Sequence, residues 1–431
     1  MALLKRNVGT FGAASVGIAN IIGAGIFVLS GVAAGLAGPS VMISFILAGV
    51  IAMMTALSAA ELSSFITETG ASYAYSKRAF GRFWSFLVGW FKYFDYVVGA
   101  AAVSVGFAAY FSSIFGLEGP IPIILAATGM PIILCILNVI GVKEATTVTS
   151  AMVLIKIFAI VILILFGGYY LTQHFDIGHY TPFFPNGFGS TLHGSAIIFF
   201  AFLGFNTVTM MSEETKNPKK TIPKALMITV AVTFALYIGI GFVEIGLADW
   251  KELGNDASPL GTLASIISDN QIFFDFISFA ALIATGSVVL SSIIGGTRAS
   301  FAMGRDRLLP KQFSLVNKRF GTPHFSILIA GVIIVIFAGV FYNNIDIIAS
   351  IVNFGSLFTY FFVHASLLKL RRTEPNTERL FKVPFYPVVP ILGAISCVGL
   401  MYYLSDTAKI VSLVWVGIGL ALYFILYKNR S

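Results

Sequence analysis

Charge is scarce in this 431-residue chain: Asp, Glu, Lys and Arg make up 11% of it, and the acids (19) are fewer than the bases (27). Soluble domains carry about a quarter charged residues. Here 57% of residues are hydrophobic and the mean hydropathy is +0.91, which excludes a water-soluble fold of this length. Cysteine is nearly absent. Cys135 and Cys397 both sit inside apolar runs, which excludes a disulfide framework or a thiolate metal site. The chain has no H-E-x-x-H, no G-x-S-x-G and no G-x-x-x-x-G-K-[ST], the usual constellations of a zinc hydrolase, a serine hydrolase or a P-loop enzyme. His174, His179, His193, His324 and His364 lie mostly at loops or segment ends without ligand spacing. No filter-like repeat or ring-forming charge motif of a channel is present. The expectation is therefore no enzyme, no metal and no cofactor.

What is present in abundance is long apolar runs. A spanning helix needs ~20 mostly apolar residues. Twelve such stretches are readable, at roughly 9–37, 40–66, 83–115, 121–141, 145–171, 191–212, 223–247, 272–303, 325–342, 346–368, 386–404 and 409–427. The first has no A-x-A cleavage pattern and reads as a span rather than a removed signal peptide. Twelve spans put both termini on one side. Calling that side cytoplasmic collects 23 of the 27 Lys and Arg there, with Lys251 and Lys409 outside and Lys92 and Lys156 within spans. That asymmetry satisfies the positive-inside rule, and it explains the net charge of +8 without nucleic acid as a partner.

Two spans are interrupted. Ile21-Ile22-Gly23-Ala24-Gly25-Ile26-Phe27 lies halfway along the first, where paired glycines weaken a helix by roughly 1 kcal/mol each relative to Ala. Close packing through small residues is one account of it. The other is a discontinuous helix. The sixth span carries Phe200-Ala201-Phe202-Leu203-Gly204-Phe205-Asn206. Breaks in spans one and six are the arrangement expected of inverted five-helix repeats, with the substrate near the midplane. Unwinding frees N–H groups on one side of a break and C=O groups on the other, and an amino acid zwitterion needs both. Its carboxylate suits Gly23, Ala24 and Gly25, whose small side chains leave their N–H groups open. Its ammonium suits freed carbonyls.

These breaks, the trailing Glu213-Glu214-Thr215-Lys216-Asn217-Pro218, Asp95-Tyr96, Arg305-Asp306-Arg307-Leu308-Leu309-Pro310 and Phe381-Lys382-Val383-Pro384 together resemble the amino acid-polyamine-organocation transporters, in particular prokaryotic relatives of the cationic amino acid transporters. The resemblance runs over essentially the whole chain. It implies an all-α membrane protein of the LeuT-type fold: a transport core over 1–368, with repeats at about 9–171 and 191–368, and two peripheral helices over 369–431. It implies carboxylate binding by the amides of Gly23, Ala24 and Gly25, and ammonium binding by the carbonyls of Ile21, Phe200, Ala201 and Leu203. Phe202 and Phe205 become gates or pocket walls. Many relatives place Thr or Ser where this chain has Ala24, so only the backbone contact carries over.

Lys156 lies about 11 residues, or ~17 Å, into the fifth span. A charge at that depth is costly and marks ion or proton pathways, unless the lysine snorkels to an interface. The resemblance makes it a built-in replacement for a sodium ion between the first, fifth and eighth helices, with protons as the coupling ion. Thr285 and Ser287 are candidate partners from span position. Asp95 sits at i, i+3 from Lys92, either as a structural ion pair or, as the resemblance implies, facing the pocket or the proton path. Glu61, Glu213, Glu214 and Glu244 lie near span ends, which suits solvated caps or cytoplasmic gate pairs. The expected activity is proton-coupled symport of small or branched neutral amino acids across the cell membrane. Obligate exchange and cationic substrates remain alternatives, and a membrane enzyme or nutrient sensor is a remoter one.

Overall fold

A computed structural model describes residues 8–68, 70–140, 146–211, 215–317 and 320–428. Ser212, Glu213 and Glu214 lie outside the described residues, as do Lys5, Arg6, Lys143, Lys318, Arg319 and Arg430 of the basic set. The described residues are helical throughout, apart from connections and one isolated bridge between Val8 and Thr215. Each of the twelve apolar stretches is helical over most of its length. Among the described residues nine helical segments are long and apolar enough to cross a membrane. Thr10–Ile21, His324–Val340 and Val388–Tyr403 are shorter apolar helices.

The first apolar stretch is three helices rather than one: α1 (Thr10–Ile21), α2 (Ala24–Phe27) and α3 (Leu29–Ala37). α4 (Val41–Ser63) and the short α5 (Ser72–Phe80) lead into α6 (Arg82–Phe115), which at 34 residues is ~51 Å long. α7 (Pro120–Ile140) and α8 (Thr146–Gln173) follow. The second interrupted stretch is α9 (Gly187–Ile198), a 3-10 turn over Phe199–Phe202, and α10 (Thr207–Met210). Then come α11 (Pro218–Leu247), the short α12 (Trp250–Leu253) and α13 (Pro259–Ile267), α14 (Gln271–Arg305), α15 (His324–Val340), α16 (Ile345–Thr373), α17 (Val388–Tyr403) and α18 (Asp406–Lys428).

α6 is the central post, packed against α14, α16 and α7, while α11 packs along α4 and α1. The last two helices lie against this body. α17 rests on α16, and α18 is pinned to α6 where the Trp90 and Trp415 rings stack at 4.3 Å and each indole N–H donates to the other's backbone carbonyl (2.9 and 3.3 Å). The faces of α7, α15, α17 and α18 turned away from the body carry exposed Ile, Leu, Val and Phe. That is the outward-apolar surface required where hydrocarbon replaces water.

Candidate functional site

α1 stops because Ile22 (ψ 102°) and Gly23 (φ −159°, ψ −151°) are extended, and the helix restarts at Ala24. Past the 3-10 turn, Leu203 is extended (ψ 152°) and Gly204 has φ +113°, a conformation that glycine alone adopts readily. The two breaks cross in direct backbone contact. A Cβ on Gly25 would stand 2.4 Å from Ala201 Cα, and one on Gly204 would stand 2.7 Å from the Asn20 carbonyl oxygen. Glycine at both positions is thus fixed by the crossing itself.

Beside the crossing lies a cavity of about 70 Å³. Its walls follow helical spacing: Lys92, Asp95, Tyr96, Gly99 and Val103 from one stripe of α6, Val288, Ser291 and Ser292 from α14, and Val352 and Ser356 from α16. The breaks supply Asn20, Ile21, Gly23, Ala24 and Gly25 on one side and Phe200, Leu203, Gly204, Asn206 and Thr207 on the other. Within the wall, Lys92 Nζ lies 3.5 Å from Asp95 Oδ2 and 4.9 Å from the Tyr96 ring centroid, and the Ser356 hydroxyl donates to Asp95 Oδ2 at 2.8 Å. The i, i+3 pair read from the sequence is therefore formed, and it faces the cavity.

Of the residues singled out in the sequence, Ile21, Gly23, Ala24, Gly25, Phe200, Leu203 and Asp95 line this cavity. Ala201 packs behind Gly25. Phe202 is buried edge-on to Tyr237 (5.1 Å) and Phe205 is stacked on Tyr360 (5.3 Å), so both rings belong to the core beside the cavity rather than to its wall. Two of the proposed ammonium acceptors already hold one hydrogen bond, Ile21 O from the Tyr237 hydroxyl (3.2 Å) and Phe200 O from Leu203 N–H (3.1 Å). A carbonyl has two lone pairs, so each keeps one.

Lys156 is 1% exposed, does not reach the cavity, and donates from Nζ to the Ala19 carbonyl of α1 at 2.9 Å. The Thr285 hydroxyl donates to Ala281 O (2.8 Å) and that of Ser287 to Ala284 O (2.9 Å), within their own helix rather than across to Lys156. Asn20, Tyr96, Ser291, Ser292 and Ser356 were not read from the sequence as site residues. Helical spacing reaches three of them, Tyr96 at i+4 from Lys92 and Ser291 and Ser292 at i+3 and i+4 from Val288, whereas Asn20 and Ser356 come to the cavity on other helices. Among the described residues no group of three His, Cys, Asp or Glu could hold a metal ion.

A family profile described as amino acid permease matches residues 8–425. The chain belongs to the amino acid permease family. It is similar to a branched-chain amino acid permease of Bacillus subtilis (31% identical, covering 99% of this chain and 94% of the relative). It is also similar to a methylthioribose transporter of the same organism (34%, covering 99% and 95%). Cationic amino acid transporter 3, mitochondrial, of Arabidopsis thaliana is 32% identical over 84% of this chain and 62% of that protein. The family and these relatives are permeases and transporters rather than enzymes.

The two ends of the permease are closed differently. At the end of α6 that carries Ser112 and Gly116, a cavity of about 1050 Å³ opens, with Val28, Val105 and Ile345 among its lining residues. At the opposite, basic end, Glu61 is fully buried. It takes both nitrogens of a bidentate Arg371 (2.7 and 2.6 Å) and the Val383 N–H (2.6 Å), with Arg379 at 3.4 Å. Arg78 forks onto Glu374 (3.1 and 2.7 Å), and Tyr73 donates to Asp306 at 3.0 Å. Burial, then the Asp306 carboxylate beside it, raises the Tyr73 hydroxyl well above its ordinary value, so it stays a donor. Glu61 is thus an ion-pair residue of the kind expected near a span end. Glu244 is not a solvated cap: it is fully buried one turn before the end of α11.

Proposed function

We propose that this permease is a proton-driven symporter of small or branched neutral amino acids, working by alternating access. The reading takes the chain as a LeuT-type fold of twelve spans in the cell membrane, with both termini cytoplasmic. Residues 1–368 form the five-plus-five inverted-repeat core and 369–431 its peripheral pair. The observation that carries it is the crossing of two broken helices beside a cavity of about 70 Å³. At ~10–15 Å³ per water, that volume holds a handful of waters, the scale of a small amino acid. The free N–H groups of Gly23, Ala24 and Gly25 take the carboxylate, and the remaining lone pairs of Ile21 and Phe200 with Leu203 take the ammonium. Gly99, Val103, Val288 and Val352 surround the side chain.

Protons couple through Lys156. Its ammonium on the Ala19 carbonyl holds α1 two residues before the break, so loss of its proton releases the helix that binds the carboxylate. The branched-chain permease among the relatives fits the apolar part of this wall. Asp95 is neutralised by Lys92, which weighs against a cationic side chain. One observation favours a second reading: the wall also offers Asn20, Asn206, Thr207, Ser291, Ser292 and Ser356, donors and acceptors suited to a hydroxylated ligand such as the methylthioribose named for one relative.

Uptake of radiolabelled alanine, leucine, lysine and methylthioribose into proteoliposomes, with and without an inward proton gradient, tests these assignments. Symport requires gradient-driven accumulation of the neutral amino acids, and Lys156→Ala should bind substrate yet lose the drive. Uptake that needs internal amino acid and ignores the gradient makes the protein an exchanger. Preference for lysine or methylthioribose replaces the substrate class.

A further inference from the structure

Glu244 stands one turn before the end of α11, fully buried, and neither carboxyl oxygen has a hydrogen-bond partner. The groups whose hydrogen bonding or charge is felt there are Ser30 of α3, Tyr110 of α6 and Asp256, which follows α12. Both hydroxyls are engaged on backbone, so Ser30 can turn its hydrogen to the carboxyl only by giving up its own acceptor. Ser30 donates to the Ile26 carbonyl at 2.8 Å, and Tyr110 donates to the Phe27 carbonyl at 2.6 Å. From the 3-10 turn over Ile177–Tyr180, His179 meets the Gly246 carbonyl (2.9 Å) and Tyr180 donates to the Phe242 carbonyl (3.3 Å), so both engage the backbone of α11. α13 carries no ionisable residue, the acid of α4 (Glu61) is at the far end of the bundle, and the lysine of α8 (Lys156) is on α1. A carboxylate in this place would have no hydrogen-bond partner and would feel the charge of Asp256, a combination that burial penalises heavily. A neutral acid fits, because its own O–H can donate to the free lone pair of the Ser30 hydroxyl.

Ser30, which reaches this acid, is followed on α3 by the glycines on which α12 rests. α12 lies on α3 through two glycine contacts: a Cβ on Gly31 would meet the Leu253 carbonyl at 2.6 Å, and one on Gly35 would meet Gly254 Cα at 2.5 Å. Asp256, just beyond, lines the 1050 Å³ cavity. We propose that Glu244 is a proton-binding residue of this end of the permease, separate from Lys156, and that its protonation latches α12 onto α3. Bound, the proton lets the carboxyl stay buried while the Gly31–Leu253 and Gly35–Gly254 contacts hold. Released to water in the large cavity, it leaves two facing carboxylates at Glu244 and Asp256, which push α12 off α3 and open a path beside the cavity floor. The latch rests on the alternating-access reading; the protonation itself does not.

The test is thiol accessibility in the full-length protein reconstituted in liposomes. Leu253→Cys is placed in a Cys135→Ala, Cys397→Ala background, and labelling by an impermeant maleimide is normalised at each pH to the unfolded protein, which cancels the chemistry of the thiol. Labelling should rise with pH, by roughly tenfold per unit while the carboxyl titrates. In Glu244→Gln it should stay slow and flat. Glu244→Leu, with no polar group to bury, should be flat as well and covers the case in which the amide misfolds. A rise that persists unchanged in both variants overturns the proposal, as does one abolished by Asp256→Asn but not by Glu244→Gln. Absence of amino acid uptake alongside the expected labelling would refute the transport reading and leave the proton site standing.

Discussion

Adding one methyl group at Gly25 is the sharpest probe of the crossed breaks. Its Cβ would stand 2.4 Å from Ala201 Cα and 2.9 Å from both Ala201 Cβ and Ala201 N. Carbon atoms sit at about 3.5–4.0 Å when in contact, so the two breaks must separate by about 1 Å. No side chain can yield, because the nearest atom is backbone. Overpacking of this kind costs about 1–3 kcal/mol, and every 1.4 kcal/mol is about tenfold in affinity. Gly25→Ala should therefore weaken substrate binding by about 5- to 150-fold, since the same movement displaces the N–H groups from the facing carbonyls. Gly99 provides the control. It lines the same cavity, yet a Cβ there meets only Val352 Cγ1 at 3.8 Å, an ordinary contact. Gly99→Ala should leave thermal stability unchanged and trim the cavity, discriminating against larger substrates rather than abolishing binding. Calorimetric titration in detergent, with thermal unfolding alongside, reads both. Gly25→Ala binding within twofold of the unmodified protein would refute the argument that backbone contact between the breaks sets the site.

At the basic end, Arg371→Leu leaves the buried Glu61 with only Val383 N–H and Arg379, and removing one partner of a buried pair costs about 3–5 kcal/mol. Because those two contacts remain, the loss of stability in thermal unfolding should fall at the low end of that range, and Glu61→Gln combined with Arg371→Leu should recover part of it. Arg78, by its hydrogen bonds, holds the Glu374 carboxyl below its ordinary range. A depressed carboxyl stabilises the fold above its unfolded pKa, and that contribution is lost as pH falls through the folded value. Stability relative to Arg78→Gln should thus be greatest near neutrality and vanish in acid; because Glu374 is largely solvated the difference is small, and a difference that grows on acidification would contradict the pairing.

The breaks were legible as places, because glycine recurs at Gly23, Gly25 and Gly204 inside apolar spans, but close helix packing uses the same pattern and only the extended backbone at Ile22, Gly23 and Leu203 separates the two; Gly23, Ala24 and Gly25 line the cavity. The second break was legible in place but not in register. Within the 3-10 turn over Phe199–Phe202 the side chains point differently from those of an α-helix, so Phe200 and Leu203 reach the cavity while Phe202 and Phe205 turn into the core. The depth of Lys156 could be counted along one helix. Its acceptor, Ala19, is 137 positions away, and no local spacing carries that information. Glu244 misled for a related reason: its distance from the end of α11 suggested solvent, but it is fully buried, with Ser30 of α3 and the charge of Asp256 acting on it, a tertiary arrangement without a local signature.

The barrier between the two cavities is a single turn of helix. Ala24 lines the small cavity, and Val28, four residues on, lines the large one. Between them α2 leans on α6 at Gly106, where a Cβ would lie 2.9 Å from Ala24 Cβ and 3.2 Å from Val28 Cγ2. This plug is lined by apolar side chains and held by close approach together with one buried hydrogen bond, from the Tyr110 hydroxyl of α6 to the Phe27 carbonyl (2.6 Å). The seal at the other end is made of a buried bidentate ion pair and two polar ties that join α4, α5, α14 and α16. An apolar contact loosens gradually as helices tilt, whereas a bidentate pair holds until its geometry is lost and then exposes two charges to be hydrated. The two ends therefore differ in what must happen before each can open: α2 has to slide off one glycine and release one neutral hydrogen bond, while the basic end has to break and solvate ion pairs together. Ligand contacts that pull α1 and α2 toward the second break act directly on the plug, because Gly25, which meets the Ala201 backbone, is the chain neighbour of Ala24, which meets Gly106.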